Sequence, residues 1–487
     1  FSVVVLFLCA GILTPKEMLE GFSNKGMITV ALLFLVSEGI RQSGTLGQVI
    51  KKLLPQGKTT VFKAQLRILP SVAFISAFLN NTPVVVIFAP IIKHWAKSVN
   101  LPATKFLIPL SYVTILGGIC TLIGTSTNLV VHGMILEAGF EGFSMFELGK
   151  VGIFIAIAGI IYIFLFSKRL LPDARPDTAV PDEEVEEGEK LHRVEAVLGA
   201  RFPGINKKLK DFNFQRHYGA EVKEIKTRNG QRFVSNLEDV VLHEGDTLVV
   251  MADDTFIPTW GESSVFVLLT NGNEPDTTGK KKRWFALLLL VLMIVGATVG
   301  ELPITKEMFP DIKLDMFFFV SITTIIMAWT NLFPARKYTK YISWDILITI
   351  ACAFAISKAM VNSGVADSVA KFIIGLSDDY GPHVLLAMLF IITNLFTELI
   401  TNNAAAALAF PLALSIASQL GVSPTPFFVV ICMAASASFS TPIGYQTNLI
   451  VQGIGNYKFT DFVRIGLPLN IITFLISIIL IPLIWNF

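Results

Sequence analysis

The chain contains few charged residues for its length. Of its 487 residues, 16% are charged and 53% are hydrophobic, whereas soluble proteins carry about 25% charged residues. The formal net charge is only +2, so the sequence does not indicate nucleic acid as a partner. Several apolar runs reach the roughly 20 residues that cross a bilayer. The composition therefore predicts an integral, multi-pass membrane protein whose outer surface contacts lipid.

Cysteine is also scarce, and the chain lacks the patterns of an enzyme. Its four cysteines (Cys9, Cys120, Cys352 and Cys432) all lie in apolar segments and fit no disulfide or metal-ligand spacing. No nucleophile–base set or metal-ligand cluster is recognisable, so enzyme activity is not expected. There is no recognisable cleavable signal peptide, and the chain opens inside an apolar run, 1–13. We therefore expect that a further segment precedes it.

The apolar segments fall into two groups separated by a polar stretch. They lie at about 1–13, 27–40, 67–92, 105–138, 147–168, 284–302, 315–333, 343–361, 384–420, 425–455 and 462–485. The stretch between the groups contains an acidic run at 182–187, β-type runs at 239–242 and 247–251, and turn residues at 229–230 and 244–246. This pattern predicts a small soluble α+β domain.

These boundaries predict three parts. Membrane repeat 1 spans 1–168, and we expect its first helix to be missing. An insert spans 169–283, with the soluble domain at about 192–256, and membrane repeat 2 spans 284–487. The join near 182–192 is abrupt, so we expect that residues are missing there.

Two polar clusters interrupt the apolar sequence, and the pair of clusters occurs twice. The first copy reads Asn80-Asn81-Thr82-Pro83 and Gly124-Thr125-Ser126-Thr127-Asn128, and the second reads Thr401-Asn402-Asn403-Ala404 and Gly444-Tyr445-Gln446-Thr447-Asn448. An offset of 320 or 321 residues relates the copies, and it also relates Ser43-Gly44 to Ser363-Gly364 and Pro90 to Pro411. Polar side chains are costly in hydrocarbon unless they have partners. The repeat therefore predicts one site built between two halves.

The loop charges predict that the two repeats are inverted. Basic residues mark the loops at 51–63, 93–105, 168–169, 280–283 and 336–340. All of these loops can be cytoplasmic if residues 67–92 form a hairpin that enters the membrane and returns. The corresponding loop of the second half, 378–383, is acidic and falls outside, so the hairpin at 384–420 enters from outside. The predicted fold is an all-α polytopic membrane protein with inverted repeats, re-entrant hairpins and unwound helices, plus a small inserted α+β domain.

The clusters have the chemistry of a site for ions. Pro83 favours a helix that starts at about residue 83, with Asn and Thr before it as N-caps. The start of this helix presents free backbone amides to an anion. The first arm of the hairpin, which precedes it, ends in backbone carbonyl groups that suit a cation. The clusters that begin at Gly124 and Gly444 should unwind a helix within the bilayer. The alternative is that these residues only cap a break or form a packing kink.

These motifs resemble those of the divalent-anion:sodium symporters, the sodium-dependent sulfate and di- or tricarboxylate carriers. The family's Ser-Asn-Thr tip stands here as Asn80-Asn81-Thr82 and Thr401-Asn402-Asn403, and its Thr-Pro-Pro-Asn element stands as residues 125–128 and 445–448. The resemblance implies co-transported Na⁺ at Ser76, Asn80, Asn81 and Gly124 in one repeat, and at Thr397, Thr401, Asn402 and Gly444 in the other. It implies a small anionic substrate at Asn81, Thr82, Thr125, Ser126, Asn402, Asn403, Tyr445 and Gln446.

The resemblance further implies a homodimer with an elevator mechanism. We expect the protein to lie in a bacterial plasma membrane, with its insert in the cytoplasm. The chain departs from the family pattern at Asn403 and at the Pro-Pro positions, which hold Ser126-Thr127 and Gln446-Thr447. These departures put a dicarboxylate substrate in doubt. The added small donors suit a compact oxyanion such as sulfate.

The insert resembles the TrkA-C type of regulatory module over residues 236–250. Such modules dimerise, and some bind cyclic dinucleotides, so both a ligand-binding and a purely structural role stay open. Two other functions also stay open: a sodium/proton antiporter or arsenite-type carrier, and a regulated anion channel. The antiporter needs an acid pair in the membrane, but only Glu398 lies near the site. Glu398 itself either modulates the sodium site or is a buried structural group.

Overall fold

The computed structural model describes residues 1–173, 191–199, 201–227, 231–253, 256–260, 265–270, 280–309, 311–375 and 381–487. The acidic run 182–187, the turn 229–230 and residues 378–380 of the acidic loop lie outside the described residues. The helices of the first half are α1 (Ser2–Cys9), α2 (Pro15–Glu20), α3 (Lys25–Gln42), α4 (Thr45–Leu53), α5 (Val61–Ser76), α6 (Asn81–Ser98), α7 (Leu107–Gly118), α8 (Ser126–Glu137) and α9 (Gly149–Leu170).

The insert and the second half follow in the chain. The insert has the elements β1 (His192–Leu198), α10 (Phe214–Tyr218), β2 (Glu221–Lys226), β3 (Arg232–Phe233), β4 (Thr247–Ala252), α11 (Phe256–Trp260) and β5 (Phe266–Thr270). The second half has the helices α12 (Lys280–Gly300), α13 (Pro303–Met308), α14 (Met316–Trp329), α15 (Tyr338–Tyr341), α16 (Trp344–Asn362), α17 (Val365–Gly375), α18 (Gly381–Leu399), α19 (Asn402–Leu420), α20 (Thr425–Ser436), α21 (Gln446–Gly455) and α22 (Phe459–Ile484).

Seven helical segments in the described part are long and apolar enough to cross a membrane. They are Pro15–Gln42, Gly149–Leu170, Lys280–Gly300, Trp344–Asn362, Gly381–Leu399, Asn402–Leu420 and Phe459–Ile484. Many apolar side chains on these helices are exposed in the isolated chain, as expected for surfaces that face lipid. The predicted class, a polytopic helical membrane protein, is confirmed.

The first hairpin, α5–α6, opens toward the insert. The Gln65 side-chain amide near the start of α5 donates to the Lys105 carbonyl oxygen, just beyond the end of α6, at 2.6 Å. The Lys105 ammonium in turn donates to the Lys168 carbonyl oxygen at 2.8 Å. Because Lys168 lies in the last turn of α9, where the chain leaves for the insert, both arms of this hairpin end on the insert side.

The second hairpin, α18–α19, opens on the opposite side. His383 near the start of α18 contacts the ring of Phe487 at 5.1 Å. Phe487 follows α22, whose end is held by a hydrogen bond of 3.2 Å from the Trp485 indole to Glu147. Glu147 lies just before the start of α9, the end remote from the insert. The repeats are therefore inverted, as predicted.

The two tips and the two helix breaks lie between these hairpins. The helix α6 begins at Asn81, two residues earlier than predicted, since Pro83 fits within the first turn, where amides have no intrahelical partner. The first break separates α7 from α8 and contains Gly124. The second separates α20 from α21 and contains Gly444. The polar clusters thus occupy two helix starts and two breaks.

The membrane helices form two layers. Helices α5–α9 and α18–α22 make an inner bundle, in which α9 packs against α22, α6 against α21, and α8 against α19. Helices α1–α4 and α12–α17 make an outer layer, in which α14 packs against α3 and α12. The main contacts between the layers are those of α16 and α17 with α19, of α3 with α8 and of α4 with α6. The polar clusters all belong to the inner bundle.

The insert contains a five-stranded antiparallel sheet of order β3-β2-β4-β1-β5. It has its own apolar core, which includes Phe202, Ile225 and Leu248. The predicted strand at 247–251 lies within β4, but the predicted run at 239–242 is not a strand. There a 3-10 turn, Leu237–Asp239, leads into a single bridge at Val241. The sheet continues to Thr270, beyond the predicted end at about 256, because β5 covers the free edge of β1.

Candidate functional site

The first repeat forms a compact set of oxygen atoms at the tip of its hairpin. The Ser76 hydroxyl donates to Asn81 Oδ1 at 2.7 Å, and both side chains are fully buried. The Thr121 hydroxyl donates to the Ala77 carbonyl oxygen and accepts the Gly124 amide at 3.1 Å. These bonds fasten the tip to the helix break. We call Ser76, Ala77, Asn81, Thr121 and Gly124 the first frame.

The second repeat forms the same set at positions displaced by 320 or 321 residues. The Thr397 hydroxyl donates to Asn402 Oδ1 at 2.8 Å. The Thr441 hydroxyl donates to the Glu398 carbonyl oxygen at 3.2 Å and accepts the Gly444 amide at 3.2 Å. We call Thr397, Glu398, Asn402, Thr441 and Gly444 the second frame. The internal repeat seen in the sequence is therefore also a repeat of individual hydrogen bonds.

Both frames require glycine at the break. A Cβ atom on Gly124 would lie 2.5 Å from the Gly118 carbonyl oxygen. A Cβ atom on Gly444 would lie 1.9 Å from Ser438 Oγ and 2.9 Å from the Thr397 carbonyl oxygen. These glycines are needed for the close approach of the break to the tip, since any side chain would push the two apart.

The asparagines that follow the breaks have a structural role. The Asn128 amide donates to the Thr121 carbonyl oxygen at 2.9 Å, and the Asn448 amide donates to that of Thr441 at 3.1 Å. Each side chain therefore replaces a backbone partner that the unwound segment has lost. Asn448 Oδ1 also accepts the Ser111 hydroxyl of the first repeat at 2.7 Å. These residues hold the breaks open without facing the cavity.

Hydrogen bonds across the repeats join the two polar clusters. The Tyr445 hydroxyl contacts Asn81 Nδ2 at 2.6 Å and Thr125 Oγ1 at 3.0 Å. The Thr82 hydroxyl donates to Gln446 Oε1 at 3.3 Å. Each bond joins the first repeat to the second repeat, so the polar clusters of the two halves are in direct contact.

A second set of cross-repeat bonds centres on Asn403. Its Oδ1 atom accepts the Ser126 hydroxyl at 3.3 Å and the Thr127 hydroxyl at 3.2 Å. Ser126 and Thr127 begin α8, so their backbone amides belong to a helix start. The donors of one helix start therefore lie beside the tip of the opposite hairpin. Such a junction presents several amide and hydroxyl donors to one small anion.

A cavity of about 500 Å³ opens from these clusters toward the insert. Six of the eight predicted anion-binding residues line it: Thr82, Ser126, Asn402, Asn403, Tyr445 and Gln446. Asn81 and Thr125 are 0% and 1% exposed and lie behind the wall. They reach the cavity only through the hydroxyl of Tyr445.

The predicted sodium residues also fall into buried positions and positions that line the cavity. Ser76 and Thr397 are fully buried in their frames, and Gly124 and Gly444 lie in the breaks. Asn80 and Thr401 line the cavity one residue before each tip helix. The Thr401 hydroxyl accepts the Ala404 amide at 3.4 Å, so it caps α19. Asn80 makes no such cap, so the two tips differ at this position. The neutral oxygens of both frames suit a hard cation such as sodium.

Several residues of the site were not predicted from the sequence. Thr121 and Thr441 complete the two frames, and their shared offset, three residues before each glycine, would have identified them. Glu398 Oε1 accepts the Ser440 amide and the Asn470 side-chain amide, each at 2.8 Å. Its Oε2 atom is buried and has no hydrogen-bond partner among the described residues. This carboxylate lies directly beside the second frame.

The mouth of the cavity is charged, although the clusters are neutral. Arg41 and Glu38 form an ion pair there, with nitrogen–oxygen distances of 2.6 and 2.7 Å. Glu244 of the insert and Asp345 at the start of α16 also line the cavity. Among the described residues, no group of three or more histidine, cysteine, aspartate or glutamate side chains could hold a metal ion.

Comparison with known proteins relates the whole chain to transporters. A sequence model described as the citrate transporter family matches residues 1–421 and 312–486. An uncharacterized transporter of Synechocystis is 30% identical, over 99% of this chain and 93% of that protein. A probable sodium/sulfate cotransporter of Chlamydomonas reinhardtii is 23% identical, over 97% and 84%. The rat Na⁺/citrate cotransporter is 29% identical, over 27% and 23%.

The family and these relatives are transporters, which confirms the expectation that the chain is not an enzyme. The match covers both repeats, and the frames that join them lie within it. The chain belongs to the citrate transporter family.

Proposed function

We propose that this protein is a sodium-coupled symporter of a small divalent anion, with sulfate as the first candidate. The observation that carries the proposal is the pair of matching frames, one adjoining the cavity through Asn402 and the other linked to it through Asn81 and the Tyr445 hydroxyl. Two cations bound there would place positive charge beside the anion without any lysine or arginine. The relatives named as sodium/sulfate and Na⁺/citrate cotransporters support the same assignment.

Coupling follows from the shared side chains. Asn81 holds Ser76 of the first frame through Oδ1 and reaches the Tyr445 hydroxyl through Nδ2. A sodium ion at the frame would fix the orientation of this amide, so that Nδ2 supports the anion-binding donor. Asn402 joins the second frame to the cavity wall in the same manner. Anion affinity should therefore depend on occupation of both frames by sodium.

The cavity chemistry favours a compact oxyanion. Hydroxyls and amides of Thr82, Ser126, Asn403 and Gln446 converge on it. Helix starts at Asn81 and Ser126 add backbone amides and a positive dipole end. The proline positions of the family motif are here Ser126-Thr127 and Gln446-Thr447, which supply further donors. Such a surface can surround a tetrahedral dianion with neutral hydrogen bonds.

The contacts between layers support alternating access by movement of the inner bundle. Within that bundle the repeats keep their symmetry, since α5 packs on α7 as α18 packs on α20. Between the layers the symmetry is only partly kept. The contacts of α4 with α6 and of α17 with α19 correspond, but α3 contacts α8 more than α6, whereas its counterpart α16 packs on α19. This difference is expected if the structure represents one end state of the movement of the inner bundle. The open side of the cavity is then the side of the insert.

The basic loops favour a cytoplasmic location for the insert, and we propose a bacterial plasma membrane as the setting. The homodimer and the cyclic-dinucleotide ligand stay predictions. A hollow of about 690 Å³ on the insert, lined by Phe233, Asn236 and His243 among others, is the place where such a ligand would be sought.

Uptake into proteoliposomes tests the proposed function. Purified protein should accumulate labelled sulfate when sodium is higher outside, and not when potassium replaces sodium. Succinate, citrate and aspartate, each labelled, rank the alternatives in the same assay. Equal uptake with sodium and potassium would refute the coupling, and a conductance without accumulation would favour a channel. Proton-driven sodium efflux without anion uptake would favour an antiporter.

A further inference from the structure

The insert is docked on the two helices that carry the site. The Lys93 ammonium on α6 contacts both carboxylate oxygens of Glu195 on β1, each at 2.9 Å. Lys226 reaches the same carboxylate at 3.4 Å. The side chains of Lys93 and Glu195 are only 20% and 16% exposed, so this ion pair is largely shielded from water. Water and salt screen the attraction within such a pair less than that within an exposed surface ion pair.

The Glu195 carboxylate remains charged over the whole physiological range of pH. Burial by itself would raise the pKa of Glu195, but the charges of Lys93 and Lys226 outweigh burial and lower the pKa to about 2. Because the pKa is lowered, the contribution of this carboxylate to docking is complete above its ordinary value of 4.5. That contribution is lost only as the pH falls toward 2. Glu195 therefore does not make docking sensitive to physiological changes in pH.

A turn of the insert fits against α21, directly behind the cavity wall. We call residues 243–247 the docking turn. Gly245 has a φ of +83°, and a Cβ atom there would lie 2.6 Å from Leu449. A Cβ atom on Gly453, one helical turn after Leu449, would lie 2.6 Å from Thr247 Oγ1. Both glycines are needed for this approach, and the neighbouring Val197 is buried in the same apolar cluster as the membrane helices.

The insert also reaches the outer layer. Arg201 lies 3.7 Å from Asp345 in the first turn of α16. Glu244 of the docking turn lines the cavity together with Asp345 and Tyr341 of the outer layer. In the sequence, the insert follows α9 of the inner bundle and precedes α12 of the outer layer. It is thus connected to both layers, through the chain and through side chains, at the open mouth of the cavity.

We propose that the docked insert is a clasp that holds the inner bundle in the conformation whose cavity opens toward the insert. Movement of the bundle past α16 would require α6 and α21 to leave Glu195 and the docking turn, because Arg201 and Glu244 hold the insert at the outer layer. Release of the clasp is then a step in each transport cycle. This proposal rests on the proposed function, because it requires a bundle that moves.

A reversible cross-link tests whether release is necessary. In Lys93→Cys/Glu195→Cys, a short bifunctional thiol reagent should join α6 to the insert and slow sodium-driven sulfate uptake at least ~10-fold, and a reductant should restore it. The single variants Lys93→Cys and Glu195→Cys, treated alike, control for the reagent and for the native cysteines. An unchanged uptake rate after complete cross-linking would overturn the proposal, because the insert would then simply travel with the bundle.

Weakening the clasp should have the opposite effect. Lys93→Met and Glu195→Gln should each raise the maximal uptake rate by roughly 3-fold, with the KM for the anion unchanged, since the loss of one partly buried ion pair shifts the conformational equilibrium and not the site. A double variant should add little to either single variant. A fall in rate in all three would contradict a restraining role.

A measurement without transport separates this proposal from the proposed function. Ile346 lines the cavity on α16. Ile346→Cys in the otherwise native chain should react readily with a membrane-impermeant maleimide added from the insert side. In the Lys93→Met background the reaction should slow by about half, as part of the population closes that side. Equal reactivity in both backgrounds would refute the clasp even if sulfate is transported, and a difference would support it even if no tested anion is taken up.

Discussion

The first frame consists of neutral groups alone, whereas the second has a carboxylate beside it. Ala77 occupies the position next to Ser76 in the first repeat, and Glu398 occupies the matching position next to Thr397 in the second. The backbone carbonyl oxygen of each accepts the threonine hydroxyl of its own frame, Thr121 in the first and Thr441 in the second. Only Glu398 adds a negative side chain, held by Ser440. The repeats therefore preserve backbone geometry while charge differs at one position.

This difference has a consequence for coupling. A buried carboxylate is costly unless a donor or a cation compensates it. Glu398 Oε2 has no partner among the described residues, so a cation in the second frame would be favoured by charge as well as by coordination. The first frame offers coordination alone. We expect the second frame to bind sodium more tightly than the first.

Removing either tip asparagine should have the largest effect. Asn81→Ala and Asn402→Ala should each lower sodium-driven uptake ~100-fold, because each removes a frame oxygen. Asn81→Ala also removes the acceptor of the buried Ser76 hydroxyl, whereas the Thr397 hydroxyl keeps the Ala435 carbonyl oxygen as an acceptor. The initial rate of sulfate uptake measures this. Asn80→Ala is the matched control, since it keeps the backbone carbonyl and should stay within ~3-fold of the parent. Normal uptake in both tip variants would contradict the two-frame site.

Alanine substitutions at the two break glycines should affect the two frames differently. Gly124→Ala and Gly444→Ala should each reduce uptake by roughly 10- to 30-fold through steric conflict. The nearest obstacle at Gly444 is the Ser438 hydroxyl, whereas at Gly124 it is a backbone carbonyl oxygen. Ser438→Gly should therefore rescue Gly444→Ala in part, and the first frame has no equivalent rescue. The initial uptake rates of the single and double variants measure this rescue. Absence of rescue would show that the Ser438 side chain is not the obstacle in Gly444→Ala.

Glu398→Gln tests whether charge distinguishes the frames. It should raise the sodium concentration for half-maximal uptake about 10-fold, since one charge beside a buried cation is removed. The measurement is a sodium-activation curve at saturating anion. Glu141→Gln, in an exposed loop, is the control and should leave the curve unchanged. An unchanged curve for Glu398→Gln would leave the carboxylate with a purely structural role.

The smallest effect is expected for the hydroxyl that joins the repeats. Tyr445→Phe removes the contacts to Asn81 and Thr125 and should raise the KM for the anion ~5-fold, which is about 1 kcal/mol. The sodium dependence should change less than the KM. Tyr338→Phe, whose ring is 49% exposed, serves as the control. A loss of sodium activation with an unchanged KM would assign Tyr445 to a frame instead of the anion.

The sequence predicted those features that depend on repetition and polarity. The tips, the breaks and the inversion followed from Asn81, Asn402, the two glycines and the loop charges. The start of α6 at Asn81, two residues before the predicted position, could not be fixed because Pro83 fits several positions in a first turn. The prediction of a strand at 239–242 was wrong, because the residues there form the end of a 3-10 turn and a single β-bridge.

The sequence could not place contacts between distant elements. The ion pair of Lys93 with Glu195 and the approach of Gly245 to Leu449 depend on how the insert sits on the bundle. No periodicity or spacing relates these positions. Glu398 was noticed as a charge, but its partner Asn470 lies 72 residues away, so its environment became visible only in three dimensions.

The most direct test of two coupled frames is the ratio of sodium to anion flux. Radioactive sodium and labelled anion should be followed together into proteoliposomes, with whichever of sulfate, succinate or citrate is transported. One cation per frame predicts at least two sodium ions for each anion, and Asn402→Ala should lower or abolish the coupled sodium flux. Anion entry without accompanying sodium, or with an unchanged ratio in Asn402→Ala, would contradict the account.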